Sequence, residues 1–345
     1  MSSQESILGY LSATDYAEDL SHLQSRAPDA GLISKALYDG LFRDYAKLIK
    51  AVPVEGTHVL NSLLARYEAE NLKSILRVVW RRIPDSTIHL RLFDLKSLRR
   101  LPVESLLQTK QITAAVEMLR TTLYYRALVH ALPQFTAQAS LFPLEMAIDI
   151  AVLEDLVKSL RFLARVDKRG AYSLIGEFID HLNLNWLIRL RHYYGLSPEE
   201  AINYSLRGGL HLGVHALGEL SRASSLTSFL RRLPPPYAAE LSDAKDWRAL
   251  DSLFKKRLTA RVLAAFCGNP FQIRLQLAYL LLKEIELEAL CSLIAAVQLH
   301  EKLENISRLV CLPLEGVKKV PQRGHPGESR GPEGLEKPGF RRSTE

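Results

Sequence analysis

Tyr67-Glu-Ala-Glu-Asn-Leu-Lys-Ser-Ile-Leu-Arg77 decides the fold, because its pattern returns twice along the chain. It aligns with Ile179-Asp-His-Leu-Asn-Leu-Asn-Trp-Leu-Ile-Arg189 and with Ile285-Glu-Leu-Glu-Ala-Leu-Cys-Ser-Leu-Ile294. Each copy opens with an acid (Glu68, Asp180, Glu286) and places Asn71, Asn183 or Ala289 three residues later. Leu72, Leu184 and Leu290 follow at once, then Ile75, Leu187 and Leu293. Steps of three and four residues put these positions on one helical face. The acids lie 112 and 106 residues apart, so the repeating unit is about one small helical domain long.

A weaker signature precedes each copy: Tyr38-Asp39-Gly40-Leu41-Phe42, Leu153-Glu154-Asp155-Leu156-Val157 and Leu250-Asp251-Ser252-Leu253-Phe254. From its acid to the later one the gaps are 29, 26 and 35 residues, enough for a helix, a short turn and the start of a second helix. Helical spacing also dominates between the signatures. Leu60, Leu64, Tyr67, Asn71, Ile75 and Val78 make an apolar stripe interrupted at Asn71, and Pro84 stops that helix. Ser197-Pro198-Glu199-Glu200 reads as an N-cap serine, a first-turn proline and acids facing the helix dipole. Period-2 alternation and Asn-Gly or Asp-Gly hairpin turns are missing. The expectation is an all-α chain of three tandem pseudo-repeated helical domains, at 1–115, 116–235 and 236–315.

Beyond Leu314 the composition changes. Five glycines and four prolines fall between Pro321 and Gly339, and Leu335 and Phe340 are the large apolar residues beyond Val320. Such a segment cannot bury enough surface to offset its ordering entropy, so 316–345 reads as a disordered tail. That tail holds seven Lys and Arg against four Glu, nearly half of the chain's formal +7. A body so weakly basic gives little reason to invoke nucleic acid. The most apolar stretch, Leu275 to Leu299, carries Lys283, Glu284, Glu286 and Glu288. Four charges near its centre would cost roughly 10 kcal/mol in a bilayer, so a buried helix is expected and no membrane span. Three unpaired cysteines, Cys267, Cys291 and Cys311, read as buried thiols of a reducing compartment.

At these residues the chain resembles the C subunits of A-type and V-type rotary ATPases, called d in eukaryotes. Asn269-Pro270-Phe271, then Leu280-Leu-Leu-Lys-Glu-Ile-Glu286 running into Leu290, looks like the family's C-terminal Lys-Glu-x-Glu-x-x-Asn-Leu helix. Ala289 departs from it, standing where the family places Asn. The resemblance covers about 1–315. It implies a funnel of three helical domains without catalytic, cofactor or metal site. Such a funnel would sit on the cytoplasmic face of the membrane, peripheral through its partners, as a monomer within a hetero-complex. Its partners would be rotor shaft subunits of D/F type and the proteolipid c/K ring, and its work torque transmission for proton or sodium transport. A generic helical-repeat interaction scaffold is the alternative reading.

Glu68, Asn71, Asp180, Asn183 and Glu286 are polar residues on apolar helical faces. They read as buried groups fixing helix packing, each requiring a partner; the alternative makes them the lining of a partner-binding cavity. Among the basic pairs, read mainly as solvated faces, Trp80-Arg81-Arg82 is the most interface-like. His211, His215 and Glu219 share a helical face, but their ends lie about 12 Å apart along an axis, too far for one ion. No phosphate-binding loop or nucleophile elbow occurs.

Overall fold

The computed structural model describes residues 4–21, 23, 28–82, 88–95, 98 and 101–299. Among the described residues the chain is helical, with turns and no strand. The helices are α1 (Gln4–Leu11), α2 (Ala17–Leu20), α3 (Ala30–Ala51), α4 (Val54–Arg81), α5 (Ile88–Arg91), α6 (Val103–Gln108), α7 (Ile112–Met118) and α8 (Tyr125–Gln138). They continue as α9 (Phe142–Ser159), α10 (Arg165–Ile188), α11 (Pro198–Ile202), α12 (Val214–Ser221), α13 (Leu226–Arg232), α14 (Pro235–Leu241), α15 (Trp247–Ala265) and α16 (Ile273–Gln298). The segment 316–345, expected to be a loose tail, lies outside the described residues, as do Pro84, Arg99, Arg100 and Cys311.

The two sequence signatures fall on consecutive long helices. The first signature lies on α3, α9 and α15, and the second on α4, α10 and α16. Packing between these helices follows a cycle: α4 packs along α9, α10 along α15, and α16 along α3. The second helix of each pair thus lies against the first helix of the next, and the third returns to the first.

Each seam is apolar with polar bridges. Along α4 and α9, Lys73 Nζ lies 2.8 Å from Asp149 Oδ1 and Arg77 Nε lies 2.7 Å from Glu145 Oε1. Between α10 and α15, Asn185 donates to Asp251 at 2.5 Å. Between α16 and α3, the Tyr279 hydroxyl donates to Asp44 at 2.5 Å.

Because α4 is enclosed by several neighbours, its apolar surface is wider than the stripe read from the sequence: Val59, Leu63, Leu72 and Leu76 are buried beside Leu60, Leu64, Tyr67 and Ile75. One core runs from Ile7 to Ile294 and takes side chains from all three expected domains. A second, built on Leu184, Leu187, Leu217, Phe229, Tyr237 and Phe254, sits where α11 to α14 wrap the end of α10.

Local signals act as the residue chemistry dictates. Ser197 and Glu200 form a complete capping box on α11, with bonds of 3.2 and 2.8 Å. α4 ends at Arg81, where Arg82 takes a left-handed conformation with φ of 53°. The expectation of buried thiols fails at Cys267, which is exposed in the turn between α15 and α16; Cys291 is half-buried.

Candidate functional site

In the first copy Asn71 uses both ends of its amide on one backbone residue. Its Nδ2 donates to the Phe93 carbonyl at 2.9 Å and its Oδ1 accepts from the Phe93 N–H at 2.8 Å. In the second copy Asn183 grips Leu206 the same way, at 3.0 and 2.7 Å. The gripped residues stand 22 and 23 positions downstream. A buried tyrosine completes each set: Tyr124 donates to Glu68 and Tyr237 to Asp180, both at 2.9 Å, from 56 and 57 positions downstream. Two copies therefore pin their following loops by one device. A helical asparagine substitutes for the strand partner that an isolated loop residue lacks.

The second copy is elaborated. Asp180, fully buried, also accepts the N–H groups of His211 at 2.7 Å and Leu212 at 3.1 Å. Burial pushes its carboxyl above the usual range, and these donors hold the shift down. Gly208 and Gly209, in the segment between α11 and α12, are what allow this approach. Gly208 has φ of 97°, and a Cβ on Gly209 would meet Asp180 Oδ1 at 2.0 Å. Glu177, one turn earlier, receives Arg257 Nη2 at 3.0 Å, and the Arg257 guanidinium lies 4.3 Å over the Tyr237 ring. Arg257 is only 5% exposed, so the basic run Lys255-Lys256-Arg257 is not a solvated face at its last member. The cause is a carboxylate on the neighbouring helix, eighty positions away and invisible to local patterning.

In the third copy Glu286 is only half-buried, and its carboxylate acts on the buried Tyr16 hydroxyl, adding to burial in raising that pKa. The Glu286 side chain is 42% exposed and lies 3.9 Å from Lys283 Nζ. Ala289 is buried and offers no hydrogen bond. The acid that turns inward is Glu284, which receives Arg66 through two parallel bonds, Nη1 to Oε1 at 3.1 Å and Nη2 to Oε2 at 2.5 Å. The same guanidinium stacks on the Phe178 ring with Cζ 4.8 Å from its centroid. Burial is the largest single influence on Arg66 and opposes its charge, but the Glu284 carboxylate together with Tyr67 and Tyr45 outweighs it, and the pKa is raised.

Arg66, Phe178 and Glu284 each stand two residues before the aligned acid of their copy. Positions of equal register on α4, α10 and α16 thus meet through Arg66, which contacts both of the others. Sequence reasoning missed them because it followed the matching acids, whereas these three differ in chemistry at the same place.

Beside this contact lies a cavity of about 170 Å³, lined by α4, α10, α15 and α16. Its polar wall is Arg66, His181, Lys255, Glu284 and Glu288. Burial lowers the His181 pKa to about 4, the Asp251 charge opposing and Lys255 assisting. Its Nδ1 has no hydrogen-bond partner among the described residues. Burial, then the charge of Glu284, raises Glu288.

The other sequence candidates are dispersed. Trp80 lies at the far end of α4, 41% exposed and edge-on to Phe135 at 5.0 Å, with Arg81 and Arg82 exposed beside it. His211 precedes α12 and points Nε2 at Glu177, 3.4 Å away, while His215 is exposed and Glu219 binds Arg222. Among the described residues no three His, Cys, Asp or Glu side chains are grouped to hold a metal. No described helix is long and apolar enough to cross a membrane.

The profile of the family described as "ATP synthase (C/AC39) subunit" matches residues 1–306. The chain belongs to that family. It is similar to the C subunit of the A-type ATP synthase from Methanocaldococcus jannaschii, 24% identical over 88% of this chain and 76% of the relative. The corresponding C subunit from Halobacterium salinarum is 27% identical over 82% of each chain, and that from Haloferax volcanii 24% over the same shares. In this C/AC39 chain the third copy of the repeat holds Ala289 where the first two hold Asn71 and Asn183.

Two outcomes follow from the C/AC39 site. Asn183→Ala strands the Leu206 N–H and carbonyl in a buried place and should cost about 1–3 kcal/mol in urea unfolding; a loss below about 0.5 kcal/mol would show that the clamp does not hold its loop. His181 is held below its ordinary pKa, so the stability tied to its neutral form is present above about pH 6.5 and is lost as pH falls toward 4. Relative to His181→Gln, the parent should lose up to about 3 kcal/mol across that window; a difference independent of pH would contradict the buried neutral imidazole.

Proposed function

We propose that this C/AC39 chain is the non-catalytic adaptor between the rotating shaft and the membrane ring of an A-type ATP synthase. The observation that carries the reading is that Arg66 meets both Phe178 and Glu284, so the second helices of three sequence repeats come together at one point. Together with the cyclic packing of α4 on α9, α10 on α15 and α16 on α3, it supports a pseudo-threefold funnel with domains at 1–115, 116–235 and 236–315. A rotor element needs this property. Torque passes through a closed ring of packed helices with little slack, because close-packed interiors resist compression.

The central cavity, walled by Arg66, His181, Lys255, Glu284 and Glu288, is the place we assign to the tip of D- or F-type shaft subunits. Glu68, Asn71, Asp180 and Asn183 are then packing residues that hold the funnel wall, and Glu286, half-buried beside Tyr16, packs at its edge. Trp80, Arg81 and Arg82 form a separate contact with a partner subunit. The proteolipid c/K ring holds the chain on the cytoplasmic face, as a monomer within the complex, and no cofactor or metal takes part.

A pull-down of the tagged chain from gently solubilised membranes tests this. Shaft subunits and proteolipid ring should be recovered together, and the shaft should be lost with Lys255→Glu, which reverses a cavity charge. Recovery of neither from membranes that hold the motor would sink the adaptor reading in favour of a generic helical scaffold.

A further inference from the structure

The turns that join the three helix pairs meet at one end of the bundle. A Cβ on Gly56, in the first pair, would touch Ile273 Cδ1 of the third at 3.0 Å. His58 packs on Phe162 of the second, with ring centroids 5.3 Å apart. Gln272 donates to the Val166 carbonyl at 3.1 Å, and Asp167 caps the Ile273 N–H at 2.9 Å. Every turn bares apolar side chains here: Val54 is 66% exposed, Val166 64% and Phe271 93%. Phe162 and Phe266 add two half-exposed rings.

The charged side chains exposed between residues 50–58, 160–170 and 266–274 are Lys50, Arg161, Arg165 and Arg169 against Glu55. Exposed aromatic and aliphatic side chains on turns that also carry four cations against one acid suit a surface that is apolar a few ångströms down and negatively charged on top.

We propose that this end of the bundle binds an anionic bilayer surface, Phe271, Phe162, Val166 and Val54 entering the headgroup region while Arg161, Arg165, Arg169 and Lys50 meet lipid phosphates. The inference goes beyond the adaptor reading and needs only the chain and a membrane, so either can fail without the other.

The test is co-sedimentation of the purified full chain with protein-free vesicles of phosphatidylcholine, alone or with about one third phosphatidylglycerol. Binding should be confined to the anionic vesicles and fall steeply in high salt. Phe162→Ser with Phe271→Ser should weaken it about tenfold or more, and Arg161→Gln with Arg165→Gln by on the order of tenfold. All four positions are exposed, and circular dichroism and thermal unfolding of each variant would show that the fold is kept. Equal binding to neutral and anionic vesicles, no binding to either, or binding untouched by both pairs would overturn the proposal. Binding to salt-washed native membranes but not to protein-free vesicles would likewise overturn it and assign the surface to a membrane protein.

Discussion

The guanidinium of Arg66 is the point on which the bundle depends. It leaves α4, stacks on Phe178 of α10 and makes a two-pronged bond to Glu284 of α16, with both charged side chains largely withdrawn from water. Burying such a pair costs several kcal/mol per ion before their attraction returns anything. Two parallel charge-assisted bonds and an aromatic face beneath the cation are what make the site tolerable. Hydrophobic residues of the same volume could give equal stability there. What the ion pair adds is register, since a planar fork meets a carboxylate in few geometries.

Outward from that centre, the same logic is repeated with hydrogen bonds. Asn71 and Asn183 hold the backbone of Phe93 and Leu206, and Tyr124 and Tyr237 close over Glu68 and Asp180. The helices are thus tied to the segments that follow them by polar contacts of defined partner choice, while the core between helices is filled largely by leucine, isoleucine and valine. A structure held in this way is stiff in its middle, which suits transmitted torque. Its joining turns bear the exposed apolar and basic side chains.

Much of this architecture is legible in the sequence, because it rests on spacing. The hairpin pairs follow from two signatures in order, the capping box from Ser197 and Glu200, and the buried polar positions from acids and asparagines set among leucines. Partners are illegible when they come from another segment. Arg257 looks like one of three surface cations until Glu177 is seen facing it. Glu286 aligns with two buried acids, yet Glu284 is the inward one, for two residues on a helix differ by roughly 200° around its axis. The central contact was hidden for a related reason: its three members share a register but not a residue type, and a repeat search rewards likeness.

The most direct measurement is a double-mutant cycle in chemical denaturation on Arg66→Met, Glu284→Gln and the pair together. If α4, α10 and α16 converge on this contact, either single change should cost about 3–5 kcal/mol by leaving a buried partner uncompensated. The double variant should then cost at least about 2 kcal/mol less than the sum. Costs that add to within about 0.5 kcal/mol would mean that the two side chains do not meet in the folded protein, and would contradict a bundle closed on a common axis.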